Sequence, residues 1–222
     1  MSSFNAFTQK NRVAGASVPV WLGVVSPRPV GGTLPAAYCK AGTLIPAGSP
    51  VHFDEANRVI TPFATWEVVS VDSTYHTITV KASPFGVLPA ANDYLGIVGT
   101  TFAATGAAGK VSAVAAAATA GQYDITLTTN ALDGATAGQF LAFSAAEAAG
   151  ASGKSLAKQP NAYLYNDICI DPLWDGETYD RIAASGAVVD FHGEGILIKR
   201  TPAAPFADQM KAAVPNVIQV GF

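Results

Sequence analysis

TWEVVSVDSTYHTITV, residues 65–80, is the stretch that decides the fold of this chain. Both of its halves are rich in β-branched and aromatic residues, and apolar Ile78 and Val80 alternate with threonines at a period of two. The dipeptide Asp72-Ser73 between the halves is typical of a tight turn. The pattern therefore predicts an antiparallel β-hairpin.

Short β-prone runs separated by Gly, Pro, Asn and Asp continue this pattern on both sides of the hairpin. We predict strands at residues 18–25, 43–45, 51–54, 58–61, 94–98, 123–128, 140–143, 162–170, 187–191, 195–199 and 217–220, with hairpins around residues 55–57 and 192–194. Only residues 205–214 are predicted to be helical, because Pro205 lies near the start and Pro215 follows the end. The predicted fold class is mainly β, with sandwich- or barrel-like modules and one short C-terminal helix.

Differences in residue composition divide the chain into four predicted segments. Residues 1–40 contain four prolines and form an extended arm, because proline excludes a long helix. Residues 41–100 form a β module, and residues 101–160 form an Ala/Gly-rich β insertion or protruding subdomain. Residues 161–222 form a C-terminal β module with the short helix.

A short sequence repeat occurs within the third segment. Residues 118–123 read ATAGQY and residues 135–140 read ATAGQF, so five of six positions agree at a spacing of 17 residues. One interpretation is a repeated turn-plus-strand unit. The other is coincidence in a stretch that is rich in Ala, Thr and Gly.

The composition limits the classes of function. Charged residues make up 13% of the chain, about half of the usual share of roughly 25%. Interface cores are depleted in charge, so this scarcity favours a surface that copies of the chain or a partner cover. The formal net charge is −3 and there is no Lys/Arg cluster, so nucleic acid is not an expected partner. The apolar segment 13–25 is too short to span a membrane and is interpreted as a strand and not as a targeting element.

The two cysteines, Cys39 and Cys169, form neither a CxxC motif nor a metal-binding spacing. We predict two free, buried thiols, and the alternative is a single long-range disulfide.

Residues 148–155, AAGASGKS, fit a loose version of the phosphate-binding P-loop. A P-loop requires a helix after its Ser, and here Pro160 stops any helix after about one turn. We therefore predict a flexible loop, with a nucleotide site as the alternative.

Other polar residues suggest no catalytic arrangement. His52, His76 and His192 show no helical or metal-binding spacing, and they are expected to be solvated or structural. A loose acidic group could bind a cation such as Ca²⁺, although a solvated loop is the favoured interpretation. Its members are Asp167, Asp171, Asp175, Glu177 and Asp180. No catalytic residue, metal site or cofactor is predicted.

The three tryptophans, Trp21, Trp66 and Trp174, are the most prominent aromatic candidates. Core packing or interface anchoring is the favoured role for each, and a carbohydrate platform is the alternative.

Several motifs resemble the head-decoration and head-fibre proteins of tailed phages. AGTLIPAGSPVHFD at residues 41–54, followed by RVIT at 58–61, resembles a recurring β element of these proteins. LGIV at 95–98 and LYNDI at 164–168 are similar to the short strands that follow it. MKAAVPNVIQV at 210–220 resembles the end of head-fibre proteins, with crAss-like phages as a candidate subgroup.

The resemblance implies a non-catalytic virion protein on the outer surface of the capsid, assembled in the host cytoplasm. Its expected partners are itself, as a homodimer or homotrimer, and the major capsid protein or other virion proteins. The N-terminal arm would dock on the capsid, with Phe4, Phe7 and Trp21 as anchors. Trp66 and Trp174 are further candidate interface anchors.

Three other functions remain open. The chain could be a tail or baseplate component or a minor capsid subunit of the same kind of virion. From a different class, it could be a small hydrolase or nucleotide-binding enzyme.

Overall fold

The computed structural model describes residues 20–24, 31–39, 42–83, 85–102, 105–128, 132–148, 156–170, 185–186, 188–190, 195–198 and 204–220. The strands are β1 Trp21–Val24, β2 Gly32–Thr33, β3 Leu44–Ile45, β4 Pro50–Asp54, β5 Val59–Pro62, β6 Thr65–Val71, β7 Thr77–Lys81, β8 Tyr94–Val98, β9 Thr105–Ala116, β10 Gln122–Leu127, β11 Phe140–Phe143, β12 Ala162–Leu164, β13 Ile168–Cys169, β14 Ser185–Gly186, β15 Val188–Asp190, β16 Gly195–Ile198 and β17 Val217–Val220. Helix α1 spans Ala207–Ala213, directly after a 3₁₀ turn at Ala204–Phe206. The mainly β class with a short C-terminal helix is confirmed.

A closed six-stranded antiparallel barrel in the order β10-β7-β6-β11-β8-β9 forms the centre of the fold. The predicted hairpin supplies β6 and β7, which pair across the Asp72–Thr77 turn. Trp66, Ile78 and Val80 are fully buried inside, as the alternation predicted. Closure leaves no unpaired strand edge in the barrel.

A second sheet has the order β14-β2-β5-β4-β12-β15. Its β4–β5 hairpin turns at residues 55–57, as predicted. Asn161 holds β12 against β4, because its side chain accepts from Phe53 N at 2.7 Å and donates to Phe53 O at 3.1 Å. The chain leaves this sheet after β5, builds the barrel and returns at β12.

The barrel draws strands from both sides of residue 100. Strands β8 and β9 are hydrogen-bonded neighbours, although they belong to the predicted segments 41–100 and 101–160. Of the predicted arm 1–40, only residues 20–24 and 31–39 are described, and they contribute β1 and β2 to sheets that later segments complete.

Strands β1, β16 and β17 form a small sheet that we call the terminal sheet. The prediction of a hairpin between residues 187–191 and 195–199 is wrong, because β15 pairs with β12 while β16 pairs with β1 and β17. Packing explains the difference. The Trp21 ring covers Gly195 so closely that an added Cβ there would lie 2.8 Å from Cζ3.

The predicted strand 162–170 is two strands, β12 and β13. The chain bends between them, where Asp167 accepts a hydrogen bond from Ala47 N at 2.8 Å. Alternation alone does not reveal this bond, because its partners are distant in the sequence.

The short sequence repeat is a repeated turn. In both copies the Gln backbone N–H donates to the Thr carbonyl three residues earlier, with N–O distances of 3.1 Å at Thr119–Gln122 and 3.2 Å at Thr136–Gln139. Gly121 and Gly138 occupy the third position with φ of 77° and 86°, as a type II turn requires. Each turn leads into a strand, so the turn-plus-strand interpretation is confirmed.

These two glycines provide a test of backbone strain. We expect Gly121→Ala and Gly138→Ala each to lower the free energy of unfolding by about 1 kcal/mol, because an L side chain is strained at positive φ. Gly23→Ala is the matched control, since an added Cβ meets nothing within 4 Å at any of the three sites. Urea unfolding of the purified variants measures the difference. Equal losses at all three sites would contradict the assignment of the strain to φ.

Candidate functional site

The terminal sheet presents two different faces. Its inner face packs on the rest of the molecule through Trp21, whose ring lies edge-on to Tyr163 at 6.0 Å and whose indole N–H donates to Leu164 O at 3.3 Å. Gln219 from β17 donates to the Tyr163 hydroxyl at 3.0 Å and to Ala207 O at 2.8 Å. These contacts hold the sheet against β12 and helix α1.

The outer face of the terminal sheet is apolar. Ile218 in β17 is the most exposed of the large hydrophobic side chains described, at 62%, and Leu22 in β1 is 48% exposed, close to Leu44 in β3 at 49%. Strands β1 and β17 read WLGV and VIQV, and β16 between them reads GILI, so no ionisable side chain belongs to this sheet. We refer to Leu22 and Ile218 as the exposed pair.

Both strands that carry the exposed pair are edge strands in the described part of the chain. An edge strand offers a row of unpaired N–H and C=O groups to another strand. Combined with exposed apolar side chains, such an edge is suited to contact with another protein.

Of the five predicted anchors, Trp21 and Trp66 fall within the described residues. Trp21 is half-buried and organises the terminal sheet, whereas its neighbour Leu22 is the more exposed residue. Trp66 is fully buried in the barrel, where it packs in the hydrophobic core. Phe4, Phe7 and Trp174 lie outside the described residues.

Neither member of the exposed pair is aromatic, and the residues predicted as anchors are all aromatic. The period-two rule would have found Ile218, which must point outward once Val217 is assigned to the inner face. It would not have found Leu22, because the register shifts between Trp21 and Gly23 and the alternation is interrupted there.

The P-loop pattern lacks the helix that it requires. Residues 149–155 lie outside the described part, but residues 156–160 are not helical, and Leu156 bridges Ser144 instead. Residues 156–160 therefore do not supply the helix that should follow a P-loop.

The two described histidines each contact a backbone carbonyl that is distant in the sequence. His52 Nδ1 lies 2.8 Å from Gln159 O, and His76 Nδ1 lies 3.4 Å from Leu127 O. A carbonyl only accepts, so Nδ1 is the donor in both contacts. His192 lies outside the described residues.

Of the loose acidic group, only Asp167 is described, and its carboxylate binds Ala47 N. Within the described residues, no three His, Cys, Asp or Glu side chains are grouped as metal ligands would be. The helices that the structure describes include none long and apolar enough to cross a bilayer.

Both cysteines are free, so the prediction of free thiols is confirmed. Cys39 is buried, and this burial raises the pKa of its thiol. The prediction that both would be buried is wrong for Cys169, which lies exposed on β13 opposite Leu44.

Comparison with known proteins adds no relative. No protein-family model matches this chain, and no match was found among curated proteins or among solved structures.

Proposed function

We propose that this chain is a structural virion protein that decorates the outside of a phage head and acts by binding. The observation that carries the proposal is the uncharged outer face of the terminal sheet with its exposed pair. In the proposed assembly, a second copy of the chain covers this face, and capsid proteins are further partners of the assembled chain.

The chemistry of the face supports an assembly role. Burying a Leu or Ile side chain completely stabilises by about 1.5–3 kcal/mol, and edge-strand pairing adds backbone hydrogen bonds. The low share of charged residues in the whole chain is consistent with a surface that other protein subunits cover. The phage head is proposed because residues 41–61 and 210–220 resemble head-decoration and head-fibre proteins.

Light scattering coupled to gel filtration tests the assembly. We expect the full chain to elute as a dimer or trimer, and Leu22→Glu with Ile218→Glu to convert it to a monomer, because two carboxylates would be buried in the contact. Ala113→Glu, at an exposed position on β9, is the matched control and should keep the wild-type mass. A monomeric wild type, or dissociation by the control alone, would contradict the proposed interface.

Localisation requires a separate experiment on the virus that encodes the chain. Gold-labelled antibody against the purified protein should decorate the outer surface of the heads in electron micrographs. Label on tails or baseplates would favour the tail component instead, and unlabelled particles would argue against any exposed virion role.

A further inference from the structure

A cavity of about 360 Å³ lies where the barrel meets the second sheet. Its wall includes Tyr38, the Thr61–Ala64 link that leads from β5 to the barrel, the start of β8, the end of β11, and Lys158. The volume is at the small end of the usual range for ligand pockets, which begins at roughly 300 Å³.

Tyr38 contributes a hydroxyl group to the cavity wall. The residue is 6% exposed, and no hydrogen bond from the described residues reaches its hydroxyl. A buried hydroxyl without a partner is unfavourable, so a group inside the cavity that bonds to it would bind more strongly.

Two residues of opposite charge line the same cavity without pairing to each other. Asp93 uses Oδ2 to accept from Ala90 N at 2.7 Å, and Lys158 Nζ donates to Thr61 Oγ1 at 3.2 Å. The second carboxylate oxygen and the remaining ammonium hydrogens form no bond within the described part of the chain. The cavity therefore offers both a charged acceptor and a charged donor.

Aromatic rings form part of the remaining wall. Phe143 is held by Trp66 at a ring distance of 5.0 Å, and Phe63 is held by Phe102 and Phe206 at 5.2 Å each. Tyr94 is a third, half-buried ring. Rings fixed in this way offer apolar surface without further ordering.

We propose that this cavity binds a neutral carbohydrate unit of one or two sugar rings. Sugar hydroxyls donate to Asp93 and accept from Lys158 and Tyr38, while the apolar face of the ring packs on the aromatic side chains. A phosphate ligand is disfavoured because it would meet the Asp93 carboxylate. A lipid tail is disfavoured because it would leave the Tyr38 hydroxyl without a partner and would place hydrocarbon against the charges of Asp93 and Lys158. The proposal does not depend on the virion role.

Saturation-transfer NMR and calorimetry on the full chain test the site. The probes are the methyl glycosides of glucose, mannose, galactose and N-acetylglucosamine, with inorganic phosphate and decanoate as the competing chemistries. We expect at least one glycoside to bind and both competitors to fail. Binding of phosphate or decanoate without any glycoside, or no binding by any probe, would overturn the proposal.

Variants then locate the binding. Lys158→Met and Asp93→Asn should each weaken the glycoside by about 10-fold or more, because each removes a charge-assisted hydrogen bond. Tyr38→Phe removes only a hydroxyl and should also weaken binding while preserving the fold. Lys211→Met, on exposed helix α1, is the control and should leave affinity unchanged. Unchanged affinity in all three cavity variants would place the sugar elsewhere and refute this site.

Discussion

Trp66→Ala is expected to lower the free energy of unfolding by about 3–5 kcal/mol, the usual range for removing a large buried aromatic side chain. Trp66 is fully buried, lies opposite Leu141 across β6 and β11, and contacts the Phe143 ring. Its indole N–H donates to Val87 O at 3.2 Å. The substitution therefore leaves a cavity in the barrel and a carbonyl without its donor. Urea unfolding followed by circular dichroism measures the loss.

Neighbouring Glu67→Ala is the matched control for this experiment. Glu67 lies on the same strand, and its carboxylate accepts a hydrogen bond from Lys81 Nζ at 2.6 Å in a partly exposed ion pair. Such pairs contribute about 0–1 kcal/mol, so the control should lose less than 1 kcal/mol. If Trp66→Ala lost no more than Glu67→Ala, the barrel interior would not be the principal core.

Alkaline pH is expected to destabilise the fold through two buried tyrosines. Desolvation raises the pKa of Tyr38 to about 12 and that of Tyr163 to about 12, the latter against an opposing hydrogen bond from Gln219. A raised pKa means that the neutral phenol is favoured in the folded state. The stabilisation is fully present below the unfolded pKa near 10 and is lost as the pH rises towards 12. Each tyrosine accounts for roughly 2–3 kcal/mol of this loss.

Unfolding free energies at pH 8 and at pH 11.5 test this expectation. Tyr38→Phe and Tyr163→Phe should each reduce the alkaline loss, and exposed Tyr165→Phe is the matched control. The two variants should differ at pH 8. Tyr163→Phe loses the bond from Gln219 and about 1 kcal/mol, whereas Tyr38→Phe removes a hydroxyl without a partner and should not destabilise. An alkaline loss that neither variant changes would contradict the assignment to these phenols.

Local patterns predicted the local structure well. Alternation in residues 65–80 and turn residues at 55–57 identified two hairpins, because each hairpin is closed by adjacent residues. The repeated ATAGQ segments likewise form the same turn twice. In each case, the interactions that determine the structure lie within a few residues.

Long-range pairing was not predictable in the same way. The error at residues 187–199 arose because β15 and β16 each pair with strands distant in the sequence. The bend between β12 and β13 depends on the Asp167–Ala47 bond, which is also long-range. A single sequence carries no signal for such contacts beyond the face that each residue occupies.

The candidate sites likewise differ in whether local sequence patterns or long-range contacts determine them. Ile218 follows from period-two alternation once Val217 is assigned to the inner face, whereas the register shift at Leu22 interrupts the alternation in β1. The cavity could not be predicted, because Tyr38, Asp93 and Lys158 are far apart in the sequence and come together only where the barrel meets the second sheet. None of the three stands in a recognisable motif.

In the sequence, all the barrel strands lie between β5 and β12 of the second sheet, and this arrangement bears on whether the barrel could be replaced. Pro62 and Ala162 pair with Val51 from opposite sides, so the barrel's entry and exit lie about two strand spacings, or roughly 10 Å, apart. A short linker could therefore replace the whole barrel as a cassette. Val51 and Ile60 nevertheless share one hydrophobic cluster with Trp66, so the excised remainder would expose apolar surface to water. Only a replacement domain with an apolar surface that covers the same part of the second sheet would keep the protein soluble.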